Sequence, residues 1–151
     1  MISPTRSLKI RGPDALASEG GAFGARRSKG TKIYEHPGID LVSGPWSVIH
    51  APFDYEIRRT GMCYFDKGMG LDVRYTLMEL DSRDGLWRVR LLYVWPFYRK
   101  GSTGSIGKAI GLSQDLKFRH PGITQHCHFE ARKRRSDDDY RLVDPTGLLS
   151  A

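Results

Sequence analysis

The sequence predicts a mainly β protein, built of antiparallel β-sheets with few short helical turns. Three observations carry that expectation. Across 151 residues, 17 glycines and 8 prolines interrupt the chain too often for a long helix. Trp87, Val89, Leu91, Tyr93 and Trp95 recur at every second position around Arg88 and Arg90, which is the period of a strand. Asp81-Ser82-Arg83-Asp84-Gly85 lies just before that run and has the turn chemistry that closes a hairpin.

Residues 1–35 read as an irregular, loop-rich lead-in, with Gly20-Gly21, Gly24 and Gly30 set among Arg26-Arg27 and Lys29. This stretch is expected to pack across the sheet. Leu41-Val42, then Val48-Ile49 with Ala51 and Phe53, predict strands broken by Gly44-Pro45. Leu71, Val73, Tyr75 and Leu77 alternate with Asp72, Arg74 and Thr76, as in a half-buried strand. That strand should pair with the run from Trp87 to Trp95. The second run is polar at its start and apolar on both faces through Leu92 and Val94, as in a central strand, and Pro96 ends it. Gly101, Gly104, Gly107 and Gly111 mark turns, and Leu112 to Phe118 a short helical turn. Gln125 to Ala131 is a further strand, and Leu142-Val143 before Asp144-Pro145 the last.

A hydrophobic share of 39% suits one core. The net charge of +7 favours polyanions such as nucleic acid, anionic membranes or an anionic cell wall, and equally serves solubility. Cys63 and Cys127 are the only cysteines, too few for a disulfide framework. No run approaches the ~20 apolar residues of a membrane-spanning helix. Met1-Ile2-Ser3-Pro4 has no apolar signal core. A substrate outside the cytoplasm would then be reached through a larger particle or lysis.

Two short clusters hold the chemistry. In Gln125–Ala131, alternation puts Cys127, Phe129 and Ala131 on one face and His126, His128 and Glu130 on the other. The roots of the two imidazoles are then about 6–7 Å apart, so one can bind a metal while the other reaches a water on it. Cys127 faces the core as filler. In His36-Pro37-Gly38-Ile39-Asp40, the Pro-Gly turn lets an imidazole and a carboxylate converge. Two histidines and an aspartate suit zinc and leave a fourth position for water. An open site of that kind favours hydrolysis. Each cluster alone is an ordinary surface pair; their occurrence together on a β pattern carries the reading.

Two other stretches are set aside. Gly101 to Ala109 looks like a phosphate-binding loop but lacks the first glycine, and has Ala109 where a metal-binding hydroxyl belongs. Arg132-Lys133-Arg134-Arg135 is offset by Ser136-Asp137-Asp138-Asp139, which predicts a solvated hairpin tip and no nucleic-acid partner.

His36-x-x-x-Asp40 with a distant His126-x-His128 resembles the lysostaphin-type zinc endopeptidases, which cut peptide cross-links in bacterial cell walls. The resemblance runs from about Gly21 to the end. It includes Gly21-Ala22-Phe23-Gly24-Ala25-Arg26, Ala51-Pro52-Phe53, Leu92-Tyr93-Val94-Trp95-Pro96, Gly107-Lys108-Ala109-Ile110-Gly111, Pro121-Gly122-Ile123-Thr124-Gln125-His126 and Val143-Asp144-Pro145. It lies near the branch with leukocyte cell-derived chemotaxin-2 and phage or bacterial relatives. The resemblance implies a lead-in over 1–20 and a lysostaphin-like domain over 21–151. It also implies one Zn2+ held by His36, Asp40 and His128, with His126 as the catalytic histidine. The implied activity is hydrolysis of peptidoglycan peptide bonds by a zinc-bound water that His126 activates. The implied partner is peptidoglycan or another anionic wall polymer, with a protein partner where a larger particle carries the chain.

One departure stands out. The peptidases carry a further histidine at the end of the strand written here Leu92-Tyr93-Val94-Trp95. This chain has Trp95 there and no histidine between His50 and His120. Tyr93, His50 and His120 are the substitutes by type. Two turn positions usually held by glycine are Trp46 and Tyr55. The alternative function is a catalytically silent zinc-binding interaction or virion structural module, with Trp95 plugging the cleft or serving as a contact.

Overall fold

The structure is a computed structural model that describes residues 1–16, 18–64 and 74–151. Its strands in chain order are β1 Arg26–Lys29, β2 Lys32–Glu35, β3 Ile39–Val42, β4 Val48–His50, β5 Tyr55–Met62, β6 Thr76–Ser82, β7 Trp87–Leu92, β8 Val94–Pro96, β9 Thr103–Gly104, β10 Ala109–Ser113, β11 His126–Ser136 and β12 Asp139–Val143. A 3-10 turn covers Leu116–Phe118. The main sheet runs β12-β11-β7-β6-β5-β9, with β3 added against β11. A second, three-stranded sheet runs β4-β10-β8, and β1 and β2 form a separate hairpin. The pairs β3–β11, β7–β11, β5–β6 and β6–β7 are all antiparallel.

The core lies under one face of the main sheet. Ile57, Met78, Leu80, Val89, Leu91 and Phe129 are fully buried there, with Tyr55 beside them. Cys127 and Ala131 join them, so the inward face expected for Gln125–Ala131 is the one observed. Both cysteines are free, and burial pushes the Cys127 thiol far above its ordinary pKa.

Several expectations are corrected in detail. The hairpin through Arg83 and Gly85 forms, but its first strand is β6, which runs on to Ser82. Leu71, Asp72 and Val73 lie outside the described residues. The lead-in contains a hairpin, β1–β2, whose residues are almost all exposed; with no buried face, it has no apolar alternation to read. β5 was not expected. Its register with β6 shifts between Ile57 and Arg59, and such a bulge breaks the two-residue period. β11 runs five residues past Ala131, so Arg132 to Arg135 lie on a strand and Asp137 and Asp138 make the turn. Ala109–Ser113 is a strand, and the helical turn is limited to Leu116–Phe118.

The largest correction concerns the run from Trp87 to Trp95. It is two strands in two sheets, broken at Tyr93, which has φ +66°. Trp46, at a position where glycine was expected, also has positive φ.

Gly38 follows Pro37 at the bend before β3, where a Cβ would collide with the carbonyl of Phe129 on β11. Only glycine allows that approach, which sets the path from His36 to Asp40. Gly38→Ala is expected to lower stability by about 1–3 kcal/mol through overpacking, read as a lower urea midpoint with unchanged slope. An unchanged midpoint would refute the close approach.

Candidate metal centre

Register assembles the site. β3 pairs with β11 so that Asp40 lies directly opposite His128, and Val42 opposite His126. On the other side of β11, His128 faces Leu92 of β7. His36 enters from the end of β2, its N–H donating to Ala25 O at 2.8 Å. The N-terminal segment straps the site from above. Arg11 N–H donates to Asp40 O, and Asp40 N–H to Gly21 O, both at 2.8 Å. A Cβ on Gly21 would lie 2.5 Å from Asp40 Cβ, so glycine is needed there too.

Three atoms able to bind a metal converge. His36 Nε2 is 3.0 Å from His128 Nδ1 and 3.3 Å from Asp40 Oδ1, and His128 Nδ1 is 2.9 Å from Asp40 Oδ1. His36, Asp40 and His128 are buried, and one ligand atom from each lies within 4.8 Å of the others. The tautomers follow from the remaining partners. His36 Nδ1 faces Ala22 O at 2.9 Å and must carry the proton that it donates. His128 Nε2 faces Glu130 Oε1 at 3.2 Å and donates to it. Both inward nitrogens are then lone pairs aimed at each other and at a carboxylate oxygen. Such a set is repulsive unless a cation occupies the middle, and two imidazoles with a carboxylate suit zinc.

Burial opposes charge on Asp40, but the imidazoles around it, His128 first, hold its pKa well below the usual carboxylate range. Arg11 adds a fork to the outer oxygen, with Nη2 at 2.8 Å and Nε at 3.2 Å from Oδ2. That fork leaves Oδ1 free for the inner cluster. Burial also works against a charged His128, yet Asp40 and Glu130 outweigh it and raise its pKa, so with no cation in the middle a proton on Nδ1 is favoured in its place.

His126 stands beside the cluster. Its Nδ1 donates to Thr124 O at 2.7 Å, which turns Nε2 inward to 3.6 Å from Asp40 Oδ1. Burial lowers its pKa despite Asp40 nearby, so the ring is a neutral base with a free acceptor. His36, Asp40, His126, His128 and Glu130 all line one cleft of about 490 Å³.

Glu130 lies on the face that alternation predicts, and the structure adds a role that the sequence does not show. Its Oε2 is 2.9 Å from Arg132 Nη2 and 3.6 Å from Arg90 Nη1, so the carboxylate that orients His128 is itself held in place. Glu130→Ala is expected to weaken zinc binding about 10–100-fold, the usual effect of losing such a partner. Competition against a chromogenic chelator reads this directly. Unchanged affinity would remove Glu130 from the site. Arg11, from the lead-in, was missed, and nothing local in the sequence marks it.

Trp95 does not plug this cleft. It is 54% exposed on β8, opposite Leu112, and is not among the lining residues. His50 also lies elsewhere, on β4. Tyr93 and His120 do line the cleft. The Tyr93 ring meets the His126 ring edge-on, with centroids 5.5 Å apart, and its hydroxyl is 2.7 Å from that of Tyr64. Burial, with Tyr64 close by, pushes the Tyr93 phenol well above its ordinary pKa.

No family model matches the sequence. The fold is shared with the catalytic domain of the antimicrobial peptidase lysostaphin from Staphylococcus simulans, at TM-score 0.60 and 18% identity over 85% of this chain and 89% of that one. A zinc-containing peptidase from Vibrio cholerae superposes at TM-score 0.58 and 16% identity, over 93% of this chain and 39% of that one. These likenesses define the class: a lysostaphin-like β domain carrying a His/Asp/His cluster. Among curated proteins, leukocyte cell-derived chemotaxin-2 of Mus musculus is 30% identical over 110 residues, 73% of this chain. The match spans 66% of the mouse protein, just under two thirds of its length. The chain therefore has the lysostaphin-type fold and is similar in sequence to the mouse chemotaxin.

Proposed function

We propose that the protein is a zinc-dependent endopeptidase that hydrolyses peptide bonds of bacterial peptidoglycan. One observation carries this reading: the inward lone pairs of His36 Nε2, Asp40 Oδ1 and His128 Nδ1, with the unprotonated His126 Nε2 3.6 Å from that same Asp40 oxygen. His36, Asp40 and His128 would hold a zinc ion, which would supply Lewis acidity at neutral pH. His126 Nε2 accepts the proton lost by the attacking water and returns it to the departing amine nitrogen. Thr124 O holds His126 in the tautomer that this requires. Glu130 and Ala22 O orient the two ligand imidazoles, and Arg11 fixes the carboxylate. The net charge of +7 draws the chain to an anionic wall.

The test is turbidity loss of a peptidoglycan suspension by the zinc-loaded chain, with His126→Ala as control. No loss above that control refutes the reading. A second reading, a zinc-held binding module without turnover, is favoured by the presence of Tyr93, and no second histidine from its strand, beside His126. Wall binding that persists in His126→Ala, with no cleavage by either protein, selects it.

A further inference from the structure

Tyr93 stands at the break between β7 and β8, where its side chain does not follow strand alternation. Successive side chains of a regular strand point to opposite faces, yet Leu92 and Tyr93 both line the metal cleft. The reason is the left-handed backbone of Tyr93, φ +66°, which ends β7 and swings the next side chain to the same side. This conformation is disfavoured for a bulky residue. It is pinned by two hydrogen bonds, Tyr93 N–H to Thr76 O at 2.9 Å and Gln114 N–H to Tyr93 O at 2.8 Å. Strain held in place at a site is a reason to look for a function there.

The ring packs edge-on against His126, and the hydroxyl reaches Tyr64 at 2.7 Å. A phenol pair has two protons and one bond between them. If Tyr64 donates to Tyr93, the Tyr93 proton is left for an acceptor in the cleft. We propose that the Tyr93 hydroxyl is the hydrogen-bond donor to the scissile carbonyl oxygen, filling the role that a second histidine has in the peptidases. This rests on the hydrolase reading above. The attacking water oxygen bonds to the carbonyl carbon, and the π pair of C=O moves onto the oxygen that Tyr93 bonds. The water proton passes to His126. When that pair returns, the C–N bond breaks, its electrons go to nitrogen, and the nitrogen takes the proton from His126. The products are a carboxylic acid and an amine. Tyr93 donates a hydrogen bond throughout and transfers no proton.

The experiment compares wild type, Tyr93→Phe, Tyr64→Phe and His126→Ala, each checked for zinc content and Tm. Tyr93→Phe keeps the ring, and is expected to keep zinc and Tm while kcat on a stem-peptide substrate falls about 10²–10³-fold with little change in KM, as for a lost oxyanion donor. Tyr64→Phe should lower kcat less, about three- to tenfold. A phosphinate peptide, whose tetrahedral oxyanion mimics the transition state, should bind Tyr93→Phe at least tenfold more weakly than wild type. If Tyr93→Phe cleaves and binds phosphinate within twofold of wild type while His126→Ala is inactive, the hydrolase reading stands and this proposal fails. If wild type is no faster than His126→Ala, both fail.

Discussion

Removing the metal with a chelator is expected to lower the Tm of the purified protein by about 8–16 °C. The figure follows from a ligand present at 1,000 times its Kd, which stabilises by about 4 kcal/mol, and from a shift of about 2–4 °C per kcal/mol in a chain of this size. The physical cause is local. His36 Nε2 and His128 Nδ1 stand 3.0 Å apart with their other nitrogens committed to Ala22 O and Glu130. Asp40 Oδ1 completes the inward set at 2.9 Å from His128 Nδ1. Without a cation, these buried acceptors either face one another unpaired or must hold a proton in its place, and both are costly in a medium of low polarity. The measurement is calorimetry with and without chelator, followed by readdition of zinc. His128→Ala should abolish both the bound equivalent of zinc and the chelator effect. A Tm that does not move on chelation, or full zinc content in His128→Ala, would refute the metal site.

The second large effect is on turnover. His126→Ala is expected to reduce kcat by about 10²–10⁴-fold, the contribution of a positioned general base, while zinc content and Tm stay near wild type. The two halves of the expectation separate a base from a ligand. The proposed ligand atoms lie 2.9–3.3 Å apart. His126 Nε2 lies farther out, at 3.6 Å from Asp40 Oδ1, with its other nitrogen bonded to Thr124 O. Loss of zinc in His126→Ala would make His126 a fourth ligand and close the site to hydrolysis.

The parts of this protein legible in its sequence are those governed by short-range periods and donor chemistry. Alternation alone separated Cys127, Phe129 and Ala131 from His126, His128 and Glu130, and the structure has the first set in the core and the second in the cleft. The same rule failed where the backbone departs from a regular strand. The bulge between Ile57 and Arg59 hid β5, and the positive φ of Tyr93 divided one expected strand between two sheets. The exposed β1–β2 hairpin had no buried face to leave a pattern.

Local sequence is therefore enough to specify the β class, the inward and outward faces of β11, and the donors available for a metal. Long-range packing is what sets Asp40 opposite His128, closes Arg11 from the lead-in over Asp40, and turns Tyr93 rather than Trp95 toward His126. The first group depends on contacts between neighbours two to four residues apart. The second depends on strand register and on one left-handed residue, which are set by packing across as many as 88 residues of chain.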